Sequence, residues 1–387
     1  MSNTFQKLHG EKKNMRRKVF HFSLIAAFLV ATLAFAGTYQ SGSMSGFGKS
    51  NKTEVEPFEP GYEVDKDEMG RGYSHPGRID VAGKWDFTLS ASFLYWQMFQ
   101  EGLDFIYHFN TLNGVYEKVE WDFKFKPAFK IMAGMFFHKH DNWQLSAEYI
   151  RHYSTNDISV DNRPGLNDTL RIAYWVGGTP VTTITHVQGR LKNGIDILNF
   201  SLGRAYYLGS HLIIDPFFGL RADWIHDKFY NSYIYNPTGT AEFYNIPGEY
   251  KVKSWAVGPR AGFESKFLLG EGWRFFGNGA VSLVYKRSTL DGTIRAYDTN
   301  IQAVAVLAQF QEKDDLLRPE LELGLGFGWG TYFDNRNWHF DLSAGYDFLL
   351  FFNQQVMSTA FYETAIAELV PHDIYLHGLT ITATFDF

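Results

Sequence analysis

Apolar and polar residues alternate along most of this chain with a period of two, and the last thirteen residues show it most cleanly. Tyr375, Leu379, Ile381, Ala383, Phe385 and Phe387 share one parity, interrupted by His377, while Gly378, Thr380, Thr382, Thr384 and Asp386 hold the other. Successive side chains of an extended strand point to opposite faces, so this segment has one apolar face and one wet face. Thirteen residues at about 3.3 Å each, tilted by about 45°, cross roughly 30 Å, the thickness of a bilayer's hydrocarbon core.

The alternation recurs from Trp85 onward. Trp85, Phe87, Leu89, Ala91, Phe93 and Tyr95 share a face, and the parity runs on through Leu103, Phe105, Tyr107 and Phe109, which predicts one long strand bulged near residues 100–102. Residues 121–137 and 143–149 predict the next two, with Trp121, Phe123 and Phe125 on one face. Residues 198–208 and 212–224, then 255–269 and 273–285, then 321–329 and 338–350 predict three further pairs. Connections fall into short ones (138–142, 209–211, 270–272, 334–337) and long polar ones (154–182, 231–250, 288–315, 353–373).

Membrane barrels place short turns in the periplasm and long loops outside. The pattern therefore predicts an all-β protein, a transmembrane antiparallel up-and-down β-barrel over residues 85–387. With both termini periplasmic, four short turns imply about ten strands. Residues 171–176 and 301–310 are the candidates for additional strands, which would bring the count to about 12–16. Trp85, Trp143, Trp273 and Trp338 each open a strand directly after the lead-in or a short turn, as expected for a periplasmic aromatic girdle joined by Phe385 and Phe387. Arg204 falls in the lipid-facing phase, where an Arg costs about 2–4 kcal/mol at the midplane and about 0–1 near the interface. Either it snorkels or a bulge shifts the register there.

The N-terminal part has a different composition. Arg16-Arg17-Lys18 precedes an apolar run from Val19 to Phe35 that closes on Ala34-Phe35-Ala36 before Gly37. A basic region, an apolar stretch too short for a membrane anchor and a small-x-small close predict a signal peptide over residues 1–36, cleaved between Ala36 and Gly37. The expected true start is Met15, because Ser2 to Asn14 adds nothing a signal needs. Residues 37–84 are rich in Gly, Ser, Pro and acidic side chains and are expected to form a mobile periplasmic lead-in. At the other end the chain closes on Phe385-Asp386-Phe387, resembling the C-terminal signal by which outer-membrane barrels reach their assembly machinery.

Composition narrows the function classes. The chain holds 36 Phe, 22 Tyr and 10 Trp, yet no segment after the leader supplies eighteen consecutive apolar residues, which excludes helical spans there. The absence of Cys removes disulfides, thiolate metal sites and cysteine nucleophiles. A net charge of −6 without a basic stripe argues against nucleic acid as a partner. The spacing of Asp223 and His226 puts them on opposite faces of a strand, and no Gly-x-Ser-x-Gly elbow is present, so no catalysis is expected. His138-Lys139-His140 has no supporting carboxylate and reads as surface; no metal or other cofactor is expected.

Several blocks are more specific: 202–207 (Leu-Gly-Arg-Ala-Tyr-Tyr), 216–221 (Pro-Phe-Phe-Gly-Leu-Arg), 323–329 (Leu-Gly-Leu-Gly-Phe-Gly-Trp), 376–380 (Leu-His-Gly-Leu-Thr) and the terminal Phe385-Asp386-Phe387. They resemble the Legionella-type major outer membrane protein family, which also occurs in Chlamydia-like bacteria. The resemblance implies a pore-forming outer-membrane barrel. The lack of Cys departs from the cysteine-rich chlamydial proteins, so a disulfide-linked envelope network is not supported.

The polar parity of each strand supplies the candidate lumen: Lys124, Lys126 and Lys130; Glu148; Asp215, Arg221 and Asp223; Arg260, Glu264 and Lys266; Lys286; Glu320 and Glu322; Asp341 and Asp347. Such a wall either lines a water-filled pore for small hydrophilic solutes and ions or forms an ion-pair network that fills a narrow barrel. The family resemblance favours the pore; a count of ten strands favours the filled barrel. In the second case the long loops, with Tyr230, Tyr233, Tyr235, Phe243 and Tyr244 read as exposed, would act as an adhesin or antigenic surface. Residues 360–369 lack strand alternation and read as a short helix over the mouth. The expected partners are the lipid bilayer with its lipopolysaccharide, the assembly machinery and, as an open question, further copies of the chain.

Overall fold

A computed structural model describes residues 76–82, 86–137, 142–162, 168–172, 184–235, 244–298, 303–357 and 372–387. The strands are β1 (Phe87–Gln100), β2 (Ile106–Asn110), β3 (Val115–Val119), β4 (Phe125–Phe137), β5 (Trp143–Asp161), β6 (Asp168–Ile172) and β7 (Ile184–Gly203). They continue with β8 (Tyr206–Tyr207), β9 (Leu212–Tyr235), β10 (Tyr244–Gly270), β11 (Trp273–Asp298), β12 (Ala303–Phe333), β13 (Trp338–Gln355) and β14 (His372–Asp386). Ten of them, β1, β4, β5, β7 and β9 to β14, form an antiparallel meander that closes where β14 pairs with β1. The fold is a closed ten-stranded barrel, with β2, β3, β6 and β8 as short additions.

Closure joins the first strand of the barrel to the last. Phe87 and Phe387 exchange backbone hydrogen bonds of 2.8 and 3.0 Å. The wet face of the last strand turns inward, where Ser90 meets Thr384 at 2.9 Å and Ser92 meets Thr382 at 2.8 Å. Its apolar face, with Leu379, Ile381 and Phe385, is exposed toward lipid alongside Leu89, Phe93 and Tyr95 of β1. Short turns gather at the same end. Asp334, Asn335 and Arg336 take three consecutive left-handed conformations, a backbone that Asp and Asn tolerate better than most residues.

The strands differ greatly in length, and this corrects the expected loops. β9 to β12 run 24, 27, 26 and 31 residues, against 14, 13 and 15 for β1, β4 and β14. Most of the stretches read as long loops at 231–250 and 288–315, and the start of 154–182, are strands that continue beyond the membrane. The alternation persists there, but its sense inverts. Outward positions become polar (Lys228, Lys251, Arg287), while inward ones become apolar (Phe229, Tyr250, Leu290), because outside the bilayer the exterior of the barrel faces water. Residues 301–310 fall largely within β12 rather than forming another strand, and β6, at the start of the 171–176 candidate, stays outside the ten-strand ring.

Two further expectations are corrected by the same inversion. The chain does not continue as one strand past Gln100: it turns inward, burying Leu103, Phe105, Trp121 and Phe123 instead of offering them to lipid. Tyr233, read as exposed, is buried, and Tyr235 stacks on Tyr244 at 5.4 Å. Phe243 and the helix read at 360–369 lie outside the described residues. At Arg204 the strand is interrupted between β7 and β8, so the residue sits at a register break near the turn end.

Candidate functional site

The interior is stacked in layers along the barrel. Outermost, Leu103, Phe105, Trp121, Leu191, Phe229 and Tyr250 belong to one buried apolar cluster, with Phe105 edge-on to Phe229 at 5.2 Å. The incoming segment, residues 101–124, supplies the first three. The next layer, level with the outer aromatic residues Tyr95, Trp224 and Tyr346, is a second apolar cluster of Leu94, Trp96, Ile195, Ile225, Phe351 and Leu376. An apolar layer across a lumen resists wetting.

Beneath lies a charged layer. Arg221 donates to Glu322 Oε1 at 2.5 Å and pairs with Glu320 at 2.5 Å; the side chains of Arg221 and Glu320 are 0% and 1% exposed. Arg260 grips Glu322 bidentately at 2.8 and 3.0 Å, donates to Ser201 Oγ at 3.0 Å and stacks over Phe217. Gln354 donates to Glu320 at 2.7 Å while accepting from Lys286 Nζ at 2.7 Å. Lys130 faces Glu148 at 3.7 Å, Asn199 donates to Glu148 at 2.9 Å, and Thr380 donates to Asp347 at 2.6 Å. A polar cavity of about 60 Å³ remains among Lys130, Glu148, Arg260, Glu264, Glu322 and Asp347, room for a few water molecules.

The candidate lumen set therefore divides. Lys130, Glu148, Arg221, Arg260, Glu320, Glu322 and Asp347, with Lys286, come together as this layer. Asp223 is wholly buried beside it. Asp215 pairs in register with Glu264 nearer the turn end, where Glu264 and Lys266 approach to 4.0 Å. Asp341 binds Arg274 at that end. Lys126 lies across from Trp96 on β4. Lys124 is corrected: it precedes β4 at the outer rim, its side chain 65% exposed and 3.8 Å from Asp122. Asp223 and His226 do occupy opposite faces of β9. His138 and His140 lie outside the described residues.

Trp143, Trp273 and Trp338 open β5, β11 and β13 at the turn end, with Trp338 5.4 Å from Phe387 and Phe340 4.9 Å from the outward Phe385. Trp85, Ala36 and Gly37 fall outside the described residues. Residues 76–82 do not hang free as the expected lead-in. Pro76 bridges to Tyr206, Gly77 N–H bonds Ala205 O at 2.9 Å, and Ala82 N–H bonds Arg336 O at 2.9 Å. Those anchors sit at the β7–β9 connection and the β12–β13 turn, on nearly opposite sides of the ring, so the segment straps the periplasmic mouth.

What sequence reading missed was the apolar filling. A signal was present: in 93–96 (Phe-Leu-Tyr-Trp) and 348–352 (Phe-Leu-Leu-Phe-Phe) both parities are apolar, as in strands buried on both faces.

No curated protein matches the chain. Among solved structures it is similar to the outer membrane protease OmpT from Escherichia coli (TM-score 0.38, 8% identity, 80% of this chain and 99% of that one). It is also similar to Ail, the attachment invasion locus protein of Yersinia pestis (0.21, 8%, 78% and 99%) and to a Pseudomonas aeruginosa FadL homologue (0.24, 5%, 79% and 90%). None of these likenesses bears on activity. The family comparison reaches further, matching the description "Legionella pneumophila major outer membrane protein precursor" over residues 80–387. Taken with the closed barrel, that match makes this chain an outer membrane protein belonging to the Legionella major outer membrane protein family.

Proposed function

We propose that the protein is a structural, surface-presenting barrel of the outer membrane, whose interior holds the wall together instead of conducting solutes. The observation that carries this reading is the burial of Arg221 with Glu320 and Glu322 beneath two apolar layers. A diffusion pore keeps its charged wall in water; here the charges are spent on one another, as expected when a narrow barrel is filled by side chains. The extended β9–β12 hairpins supply the external surface. We read it as non-enzymatic, exported by its N-terminal signal and inserted through the assembly machinery.

Passive diffusion of small hydrophilic solutes and ions is the second reading, favoured by the polar cavity inside the charged layer. Liposome swelling separates the two. Vesicles carrying the refolded chain should swell in isotonic arabinose no faster than empty ones; swelling that scales with protein content and falls with solute size would establish the channel instead.

A further inference from the structure

We propose that the outward face of β7, β9 and β10, just above the outer aromatic girdle, is a docking site for the phosphate groups of the outer-leaflet glycolipid, with Lys192, Lys228 and Lys251 as its core. The register places these lysines in one row: Lys192 is directly opposite Lys228, and Lys228 directly opposite Lys251. Directly opposed side chains lie about 5 Å apart at Cβ, and like charges in that relation destabilise a sheet. A row of three therefore needs a counter-charge.

The rest of this face shows how the sheet usually deals with charge. Arg190 pairs with Asp157 at 2.6 Å, Arg287 with Asp315 at 2.7 Å and Arg151 with Asp196 at 3.6 Å, each across to the neighbouring strand. In the lysine row only Lys251 has acidic neighbours, Glu249 at 2.7 Å along its own strand and Asp291 directly opposite on β11, which leaves the like-charged pair Lys192 and Lys228 without one. Among the described residues, no carboxylate lies within ion-pair reach of Lys192, Lys228 or Lys253.

Position identifies the missing anion as a lipid group. Trp224 and Trp255, directly paired and exposed, mark the outer end of the apolar belt. His226 and Lys253, also directly paired, come two residues beyond, and the lysine row four. At about 3.3 Å per residue and a tilt of about 45°, these rows stand roughly 5 and 9 Å above the girdle, within snorkelling reach of the headgroup layer. A phosphorylated glycolipid seated here would lay its acyl chains along Leu220, Val257 and the two tryptophans and its phosphates on the lysines. The site rests on the barrel's orientation and not on whether it conducts.

The test uses the refolded full chain in detergent with bis-phosphorylated lipid A as probe, read by native mass spectrometry and thermal unfolding. The native chain should retain lipid A, and the K192Q/K228Q/K251Q variant should retain at least tenfold less while keeping its heat-modifiable mobility. Lys228→Gln alone gives a sign reversal: without lipid it should unfold at or above the native temperature, because repulsion is relieved, and with lipid A below it. Equal retention by the triple variant, equal retention of dephosphorylated lipid A, or full displacement by millimolar inorganic phosphate would each overturn the assignment, the last by making the row a free-anion site. A single variant destabilised without lipid would also contradict it.

Discussion

Arg221 has no surface left for solvent, and its two carboxylate partners come from neighbouring positions of β12. Breaking a buried pair by removing one side leaves an uncompensated charge, which costs about 3–5 kcal/mol. Arg221→Met should therefore lower stability by about that amount in denaturant unfolding followed by tryptophan fluorescence, with Glu320 left behind while Glu322 keeps Arg260. Adding E320Q should recover most of the loss, since Glu322 keeps its bidentate pair with Arg260 and an uncharged filling of similar volume is often no worse than the pair it replaces. Failure of the double variant to recover would mean that Arg221 acts through something other than charge pairing. At the turn end, Gly328 makes room for a neighbour in a similar way: a Cβ there would meet the Arg274 guanidinium at 2.8 Å. Gly328→Val should push Arg274 off Asp341 and lower the unfolding temperature, whereas Gly209→Ala, in open space, should not.

Among the elements, the segment between β1 and β4 departs furthest from its sequence pattern. Phe105 and Trp121 have lipid-facing parity in the sequence but pack on Phe229 inside the outer extension. Phe105→Ala should cost about 3–5 kcal/mol if the cluster acts as a core. Limited proteolysis of the folded variant should cut first within residues 101–124; an unchanged digestion pattern would mean the segment is held by something else. The membrane-level strands were legible because lipid outside and polar groups inside give a simple period of two, and Trp143, Trp273 and Trp338 mark their starts. The outer hairpins were not legible. Their alternation is as regular, but its polarity reverses once the outside is water, and a reader tuned to apolar-outward strands sees only polar loop. The candidate site was half legible: parity found the charged layer, while its pairing and the apolar layers above it depend on register across the ring, which no single strand carries.

At the scale of the whole molecule, closure is achieved several times over. An apolar cap lies outside the membrane, an apolar layer at the outer interface, a charge-paired layer beneath, and the 76–82 strap across the periplasmic mouth. Removing any one should leave the others in place, so Arg221→Met is expected to weaken the barrel without opening it. The most direct test of this account is single-channel recording of the refolded chain in a planar bilayer at high salt. The account predicts a folded, heat-modifiable barrel that inserts yet gives no discrete conductance steps. Long-lived steps of uniform size at low voltage would contradict it and make the charged layer the wall of a pore.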